Sequence, residues 1–331
     1  MTTPLPPLTP VLGSLYALEV PIPFPMKTVT VLVDRPAPGQ GGAVTLVDTA
    51  IDTPQARAGL EGALGQLGLR PGDVERVILT HHHPDHSGLA GWFEEGGAQV
   101  FMLDREIQHG GRYWAEWDDW LPRVLTHMRE HGLPPELHAG QERFHRHVRE
   151  MVRVARHLHP LHEGQTLTLA GCEWEVLWLP GHADGHLALW QPEEKLLIAG
   201  DTVLPRITPN IGLYAYSRPN PLGDYLTTLD RLEALAPRRA LVGHYGPELL
   251  GVRERAAELR THHHARLAVL EAAVRQGPGT AYALTRQLFP HALSEPHLRF
   301  ALAETLAHLE YLRIRSRLDL SYEHQVLVYS C

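Results

Sequence analysis

The segment His81-His82-His83-Pro84-Asp85-His86 crowds four imidazoles and a carboxylate into six positions, directly after the apolar run Val77-Ile78-Leu79-Thr80. That run reads as the end of a buried strand. A strand end aims the side chains that follow it, and alternate residues point the same way. His81 and His83 therefore converge on one point, while Asp85 and His86 turn toward a second. Neutral imidazole is the commonest metal ligand, so the chemistry offered by this spacing is metal binding, with room for two ions. The chain carries 23 histidines, far more than two ions need, and most must do other work.

The pattern recurs downstream. Glu175–Leu179 leads into Pro180-Gly181-His182, Leu197-Ile198-Ala199 into Gly200-Asp201, and Ala240-Leu241-Val242 into Gly243-His244. Each run delivers a metal-competent side chain next to a glycine, which lets the backbone turn sharply and approach a ligand closely. A further apolar run, Ala43–Val47, ends at Asp48. An isolated histidine at a strand end is ordinarily a locally bonded polar residue. Recurrence at separate strand ends points instead to a shared site.

Such ends need strands to hold them. Strand signals cover Leu15–Val20, Thr28–Val33, Ala43–Val47, Val77–Leu79 and Gln99–Leu103. A helix over Thr53–Leu67 interrupts them, with Thr53 placed to cap it and Gly68 near its end. A second series comprises Thr166–Leu169, Glu173–Trp178, His186–Trp190, Leu196–Ala199 and Arg239–Val242, with a helix over Leu222–Leu235 before the last. Two strand series with flanking helices predict two packed sheets with helices outside, an α/β architecture. Between the series, residues 104–164 change character. Trp114, Trp117, Leu121, Leu125 and Met128 recur at helical spacing, as do Phe144, Val148, Met151, Val152 and Ala155. They predict a helical-hairpin insertion beside the site. One long helix is expected over Val252–Val274, then helical segments over Ala281–Leu288 and Pro296–Leu309, and a hairpin from Ile314–Leu318 and Gln325–Tyr329. The chain thus divides into a catalytic domain over 1–250 and a small winged-helix domain over 251–331.

Composition narrows the class. The 331 residues allow two domains, and 44% apolar content is ordinary for a globular protein. No apolar run reaches the length of a membrane span, so no membrane partner is expected. Met1–Pro10 is polar and Pro-rich, without the pattern of a secretory signal. Two cysteines, Cys172 and Cys331, exclude a disulfide framework and a Cys-based zinc site, and they predict a reducing cytoplasm. A net charge of −8 argues against a large nucleic-acid footprint. From Val252 onward ten arginines face eight acidic residues, and phosphate binding needs clustered cations. Thr261-His262-His263-His264 lies on a helix, where successive residues point about 100° apart and cannot chelate together. His127, His131, His145, His147, His157, His159 and His162 scatter over the insertion and read as mostly solvated.

Taken together, Thr80-His81-x-His83-x-Asp85-His86-x-Gly88 with Gly181-His182, Gly200-Asp201 and Gly243-His244 resembles the metallo-β-lactamase-fold hydrolase superfamily, over roughly Leu15 to Gly251. The tail resembles the winged-helix extension of some of its hydrolases and ribonucleases. The resemblance implies a four-layer αββα sandwich. It implies one cation held by His81, His83 and His182, a second held by Asp85, His86 and His244, and Asp201 bridging both. Asp48 matches the superfamily's early strand-end aspartate and is expected to orient the histidine loop. His82 falls on a non-ligand position and is expected to face outward. Nitrogen and oxygen ligands suit two zinc ions and also admit iron, manganese or cobalt. Di-iron redox relatives typically carry glutamate at the motif's second histidine, so His83 favours hydrolysis. His262 and Arg266 resemble a His–Arg pairing near the start of that extension, which implies a domain-interface role.

Paired cations depress the pKa of bound water toward about 7 and stabilise charge on the substrate oxygen. The expected function is hydrolysis of a small ester, thioester or lactone, with Asp85 also accepting a proton from the attacking water. The segment Thr202–Tyr214 starts beside Asp201, is punctuated by Pro and Gly, and is expected to line the pocket. Arg206 or Asn210 is the candidate for a substrate carboxylate or phosphate, and Tyr214 or Tyr245 for a leaving oxygen. Trp114, Trp117 and Trp120 read first as packing, with a lid over an apolar acyl group as the functional alternative. Three competing classes stand beside the hydrolase. They are a metal-dependent nuclease or phosphodiesterase whose winged helix grips nucleic acid, a regulator with a silent site, and an iron-dependent persulfide dioxygenase. A small-molecule substrate and a homodimer are the partners expected.

Overall fold

The computed structural model describes residues 7–37, 39, 42–291 and 293–331. Of the N-terminal stretch read above, residues 1–6 lie outside it. The first sheet runs in chain order through β1 (Leu8–Leu12), β2 (Leu15–Pro21), β3 (Thr28–Asp34), β4 (Thr45–Val47), β5 (Arg76–Leu79), β6 (Gln99–Leu103) and β7 (Leu158–Leu161). Neighbours are antiparallel up to β4 and parallel from there to β7. The second sheet holds β8 (Thr166–Leu169), β9 (Cys172–Trp178), β10 (Leu187–Gln191), β11 (Leu196–Gly200), β12 (Arg239–Val242) and β13 (Glu248–Leu250). Its pairs are antiparallel except β11 with β12.

Period-two alternation sorts the apolar side chains into layers. Ala17, Leu32, Val47 and Ile78 of the first sheet meet Val176, Leu189, Ile198 and Leu241 of the second, with Trp174 buried among them. Their neighbours Val31, Leu46, Val77 and Leu79 face outward and pack with helices α1 (Pro54–Gln66) and α3 (Ala90–Glu95) and the turns around them, beside the short α2 (Pro84–Ser87) that carries Asp85 and His86. On the far side, Leu177, Ala188, Leu197, Ala240 and Val242 bury the other face of the second sheet. The result is helix, sheet, sheet, helix, with each fully buried aliphatic side chain contributing about 1.5–3 kcal/mol.

That far layer is built from the insertion and the C-terminal part. The insertion comprises α4 (Asp104–Glu106), a single π-helical turn over Ile107–Gly111, α5 (Arg112–Ala115), α6 (Trp117–Glu130) and α7 (Pro135–Glu150). Helices α8 (Pro221–Leu235), α9 (Val252–Gln276), α10 (Ala281–Leu288) and α11 (Glu295–Ile314) follow. A three-stranded sheet closes the chain, β14 (Gly279–Thr280), β15 (Asp319–Glu323) and β16 (Val326–Ser330), in the spatial order β14-β16-β15.

Several expectations change. The insertion is helical only to Glu150, so Met151, Val152 and Ala155 lie beyond the second helix, and residues 158–161 pair with β6 as the sheet's edge strand. Pro160 breaks the alternation of that run, and an edge strand tolerates proline. The terminal hairpin starts at Asp319, because α11 continues through Ile314. His131 and His145 are buried, not solvated. Thr53 does cap α1, accepting from the Ala56 amide at 3.2 Å. Among the described residues no helix is long and apolar enough to cross a membrane.

Candidate metal centre

The ends of β4, β5, β9, β11 and β12 open on one side of the sandwich and bring Asp48, the 81–86 segment, His182, Asp201 and His244 together. His81 Nε2 lies 3.0 Å from His83 Nδ1, which lies 2.9 Å from His182 Nε2. Asp201 turns one oxygen to His86 Nε2 at 3.5 Å and the other to His182 at 3.6 Å and His244 at 3.3 Å. Asp85 Oδ2 is 3.3 Å from His244 Nε2. Three overlapping triads offer converging ligand atoms: His81/His83/His182, His81/His86/Asp201 and Asp85/His86/His244. All seven residues named from the sequence therefore meet. His83 and His182 are half-buried and the other five are buried.

Four of the five metal-facing imidazoles, all but His83, are aimed by a bond on the opposite side of the ring. His81 Nδ1 meets Thr80 Oγ1 at 3.0 Å, and that hydroxyl donates to Asp48 Oδ2. His86 Nδ1 donates to Asp48 Oδ2 at 2.8 Å. His182 Nδ1 donates to the Asn210 carbonyl at 2.9 Å, and His244 Nδ1 to the Thr28 carbonyl at 2.7 Å. This arrangement is what fixes tautomer and ring orientation in metal-binding imidazoles. His86 Nε2, Asp201 Oδ1 and His244 Nε2 are buried without a hydrogen-bond partner, a costly state unless a ligand meets them. Gly243 has no room for a side chain, since a Cβ would collide with Asp201 Oδ1 and lie 2.8 Å from His86 Cε1. Gly88 is equally confined, with the Ile51 Cα 2.8 Å from where a Cβ would sit.

The electrostatics divide the site. Burial, then the neighbouring imidazoles, push His81 and His83 well below the ordinary histidine range and keep their lone pairs free. Burial also opposes charge on His86 and His244, but Asp201 with Asp48 or Asp85 outweighs it and raises them to about 10 and about 11. Against the same burial, His244 and His86 hold Asp85 and Asp201 below the usual carboxylate range. The Asp85/Asp201 half of the pocket thus demands positive charge.

A narrow cleft opens over His83 and His182, walled by His82, Gly110, Asp184, Tyr214 and Tyr216 among others. His82 does not face outward. It is buried, its amide and Nδ1 both donating to Glu106, at 2.9 and 2.5 Å. Glu106 also accepts from the Gly185 amide at 2.7 Å, tying the insertion to the loop after His182. Tyr214 lines the cleft but donates its hydroxyl to Asn210 Oδ1 at 2.8 Å. The Asn210 amide donates to the Phe300 carbonyl at 3.2 Å, so its polar groups are engaged within the protein. Arg206 is exposed, and neither it nor Tyr245 is among the described residues that wall the cleft.

Two participants escaped the sequence reading. His186 is fully buried, stacks on His81 at 4.8 Å and accepts the Asp201 amide at 3.2 Å. Its signal was available, as a second histidine four residues after His182 opening an apolar strand. Glu106 gave no local signal. Outside the site, His263 meets His308 at 3.1 Å beside Glu304, all buried. There the Arg266 guanidinium, 2.9 Å from Glu304, already supplies the positive charge, making an ion-paired knot between α9 and α11.

Comparisons with known proteins agree with this geometry. A family model described as the metallo-beta-lactamase superfamily matches residues 25–244, and one described as a metallo-beta-lactamase-like C-terminal domain matches residues 267–329. The crystal structure of a metallo-beta-lactamase family protein from Thermus thermophilus is 44% identical, with a TM-score of 0.86 over 96% of this chain and 99% of that one. The probable metallo-hydrolase YqjP of Bacillus subtilis is 28% identical over 93% of this chain and 94% of its own length. The acyl-coenzyme A thioesterase MBLAC2 of Gallus gallus is 30% identical over 51% of this chain and 56% of its own.

Proposed function

The chain belongs to the metallo-β-lactamase superfamily, and on that premise we propose that it hydrolyses small esters, thioesters or lactones with the help of two divalent cations, zinc first. The observation that carries this reading is the set of partnerless buried atoms on His86, Asp201 and His244 beside the His81/His83/His182 triad. In this assignment His81, His83 and His182 would hold one ion and Asp85, His86 and His244 the other, with Asp201 the carboxylate that would serve both. Bound there, such a pair supplies a nucleophile at neutral pH and Lewis acidity toward the scissile carbonyl.

The chain's own residues do the rest. Asp48, Thr80 and the carbonyls of Thr28 and Asn210 hold the outer ring nitrogens, so the inner ones need no reorientation when the site fills. Asp85, buried and kept ionised, is assigned to take the proton from the attacking water. The tyrosine faces of Tyr214 and Tyr216 give the cleft an apolar side, which suits an acyl group better than a phosphodiester. Of the candidates for the substrate, Tyr214 lies in this wall, whereas Arg206 and Tyr245 lie outside it. The thioesterase relative supports including thioesters. The catalytic unit is taken as 1–250 and the C-terminal unit as 251–331. Free thiols at Cys172 and Cys331 support a reducing compartment.

A substrate panel tests the reading. Zinc-loaded protein is offered acyl thioesters, lactones, aryl esters and bis-p-nitrophenyl phosphate. Turnover of at least one acyl class, lost on chelation and restored by zinc, is expected. Turnover of the phosphodiester alone would move the chain to the nuclease class.

A further inference from the structure

The anchors behind the metal-facing imidazoles are not equivalent. Those of His81, His86 and His244 belong to the first sheet or its immediate ends: Thr80 after β5, Asp48 after β4, and Thr28 opening β3. The anchor of His182 is the carbonyl of Asn210, in the middle of a segment, residues 201–220, that has no helix or strand of its own. Something else must hold that carbonyl still.

The C-terminal helices do so at several points. Asn210 Nδ2 donates to the Phe300 carbonyl of α11, and the Leu213 amide donates to the Ala303 carbonyl of the same helix at 2.9 Å. The Asn210 side chain also lies beside the Glu304 carboxyl. Gly212 packs so tightly on α11 that a Cβ would lie 3.0 Å from that of Ala303. From α9, Arg255 donates to the carbonyls of Leu204 and Ile207 at 2.8 and 2.9 Å, fixing the start of the segment. Tyr214 returns to Asn210 Oδ1 and closes the turn.

We propose that Asn210 is a positioning residue for His182, and that helices α9 and α11 of the C-terminal unit, acting through it, set the affinity of the cation assigned to His81, His83 and His182 while leaving its neighbour untouched. The inference rests on the two-ion assignment above. It gives the C-terminal part a task inside the site rather than at a nucleic acid.

Cobalt titration of the full-length chain separates the possibilities, read by visible absorption and by competition with a chelator. Wild type is expected to take up two Co2+ per chain. Asn210→Ala, which keeps the backbone carbonyl but removes its side-chain tie to α11, is expected to retain one ion at wild-type affinity. The other should weaken by about 10–100-fold, with its absorption bands altered. Tyr214→Phe, a milder change that removes only the hydroxyl closing the turn, should weaken the same ion by a smaller factor. Circular dichroism of both variants should match wild type. Two ions bound at wild-type affinity in both variants, or equal weakening of both ions, overturns the proposal. A wild-type chain that never binds a second ion fails at the two-ion assignment, and the inference goes down with it for that separate and visible reason.

Discussion

His86 donates from Nδ1 to Asp48 Oδ2 at 2.8 Å, and that bond turns its other nitrogen toward Asp201, 3.5 Å away. Asp48 also accepts from the Thr80 amide at 2.7 Å and the Thr80 hydroxyl at 2.8 Å, and Thr80 in turn meets His81. One buried carboxylate therefore aims an imidazole in each half of the site. Asp48→Ala should lower metal affinity by about 10–100-fold and cost about 1–3 kcal/mol for each buried donor left unpaired. Chelator competition and denaturant unfolding of the same preparation check both.

Gly243 faces Asp201 and His86 with no room for a methyl group. Its φ is not among the positive values, so Gly243→Ala acts through space alone. The variant should fold, but with Asp201 displaced it should lose roughly 100-fold in kcat on whichever acyl substrate wild type turns over. Wild-type kcat would mean that Asp201 is not held where the structure places it.

Glu106 accepts three hydrogen bonds, from the His82 amide, the His82 ring and the Gly185 amide, while fully buried. Glu106→Ala leaves buried donors unpaired and should destabilise the chain by about 3–5 kcal/mol. Glu106→Gln keeps an acceptor oxygen and should cost appreciably less. Thermal or denaturant unfolding of the pair distinguishes this from a generic effect of mutating α4, which predicts no difference between them.

Burial pushes His131 and His145 each down to about 3. The unfolded chain takes up protons below its ordinary value near 6.5, while the folded chain does not until about 3. The stability these two residues permit is therefore full above about 6.5 and falls as pH drops through that window, by up to about 1.4 kcal/mol per pH unit for each. Urea unfolding between pH 7.5 and 4.5 should show a shallower slope in the His131→Gln/His145→Gln variant than in wild type.

The fold was legible where side-chain alternation was clean. Val77–Leu79 and Leu196–Ala199 sit within their strands, and the glycine-flanked ends do converge. What escaped depends on partners distant in sequence. His82 is held inward by Glu106, 24 residues away, and nothing local announces that contact. His145 is buried against Tyr113, on a helix whose surface looked polar. β7 hides behind Pro160, and β13 is three residues long, too short for periodicity to register. Asn210 offered a polar side chain in a loop beside the site. Its service to His182 runs through its backbone, which residue type does not reveal.

The two-cation site is tested most directly by counting bound metal while measuring hydrolysis in one titration. Chelator-stripped protein receives zinc in increments, and turnover of an acyl thioester is followed with metal content. The expected result is two zinc ions per chain, activity rising to its plateau as the second binds, and a His244→Ala variant that stops at one ion and stays nearly inactive. Full hydrolysis by the stripped protein, or a plateau reached with a single ion, would contradict the account.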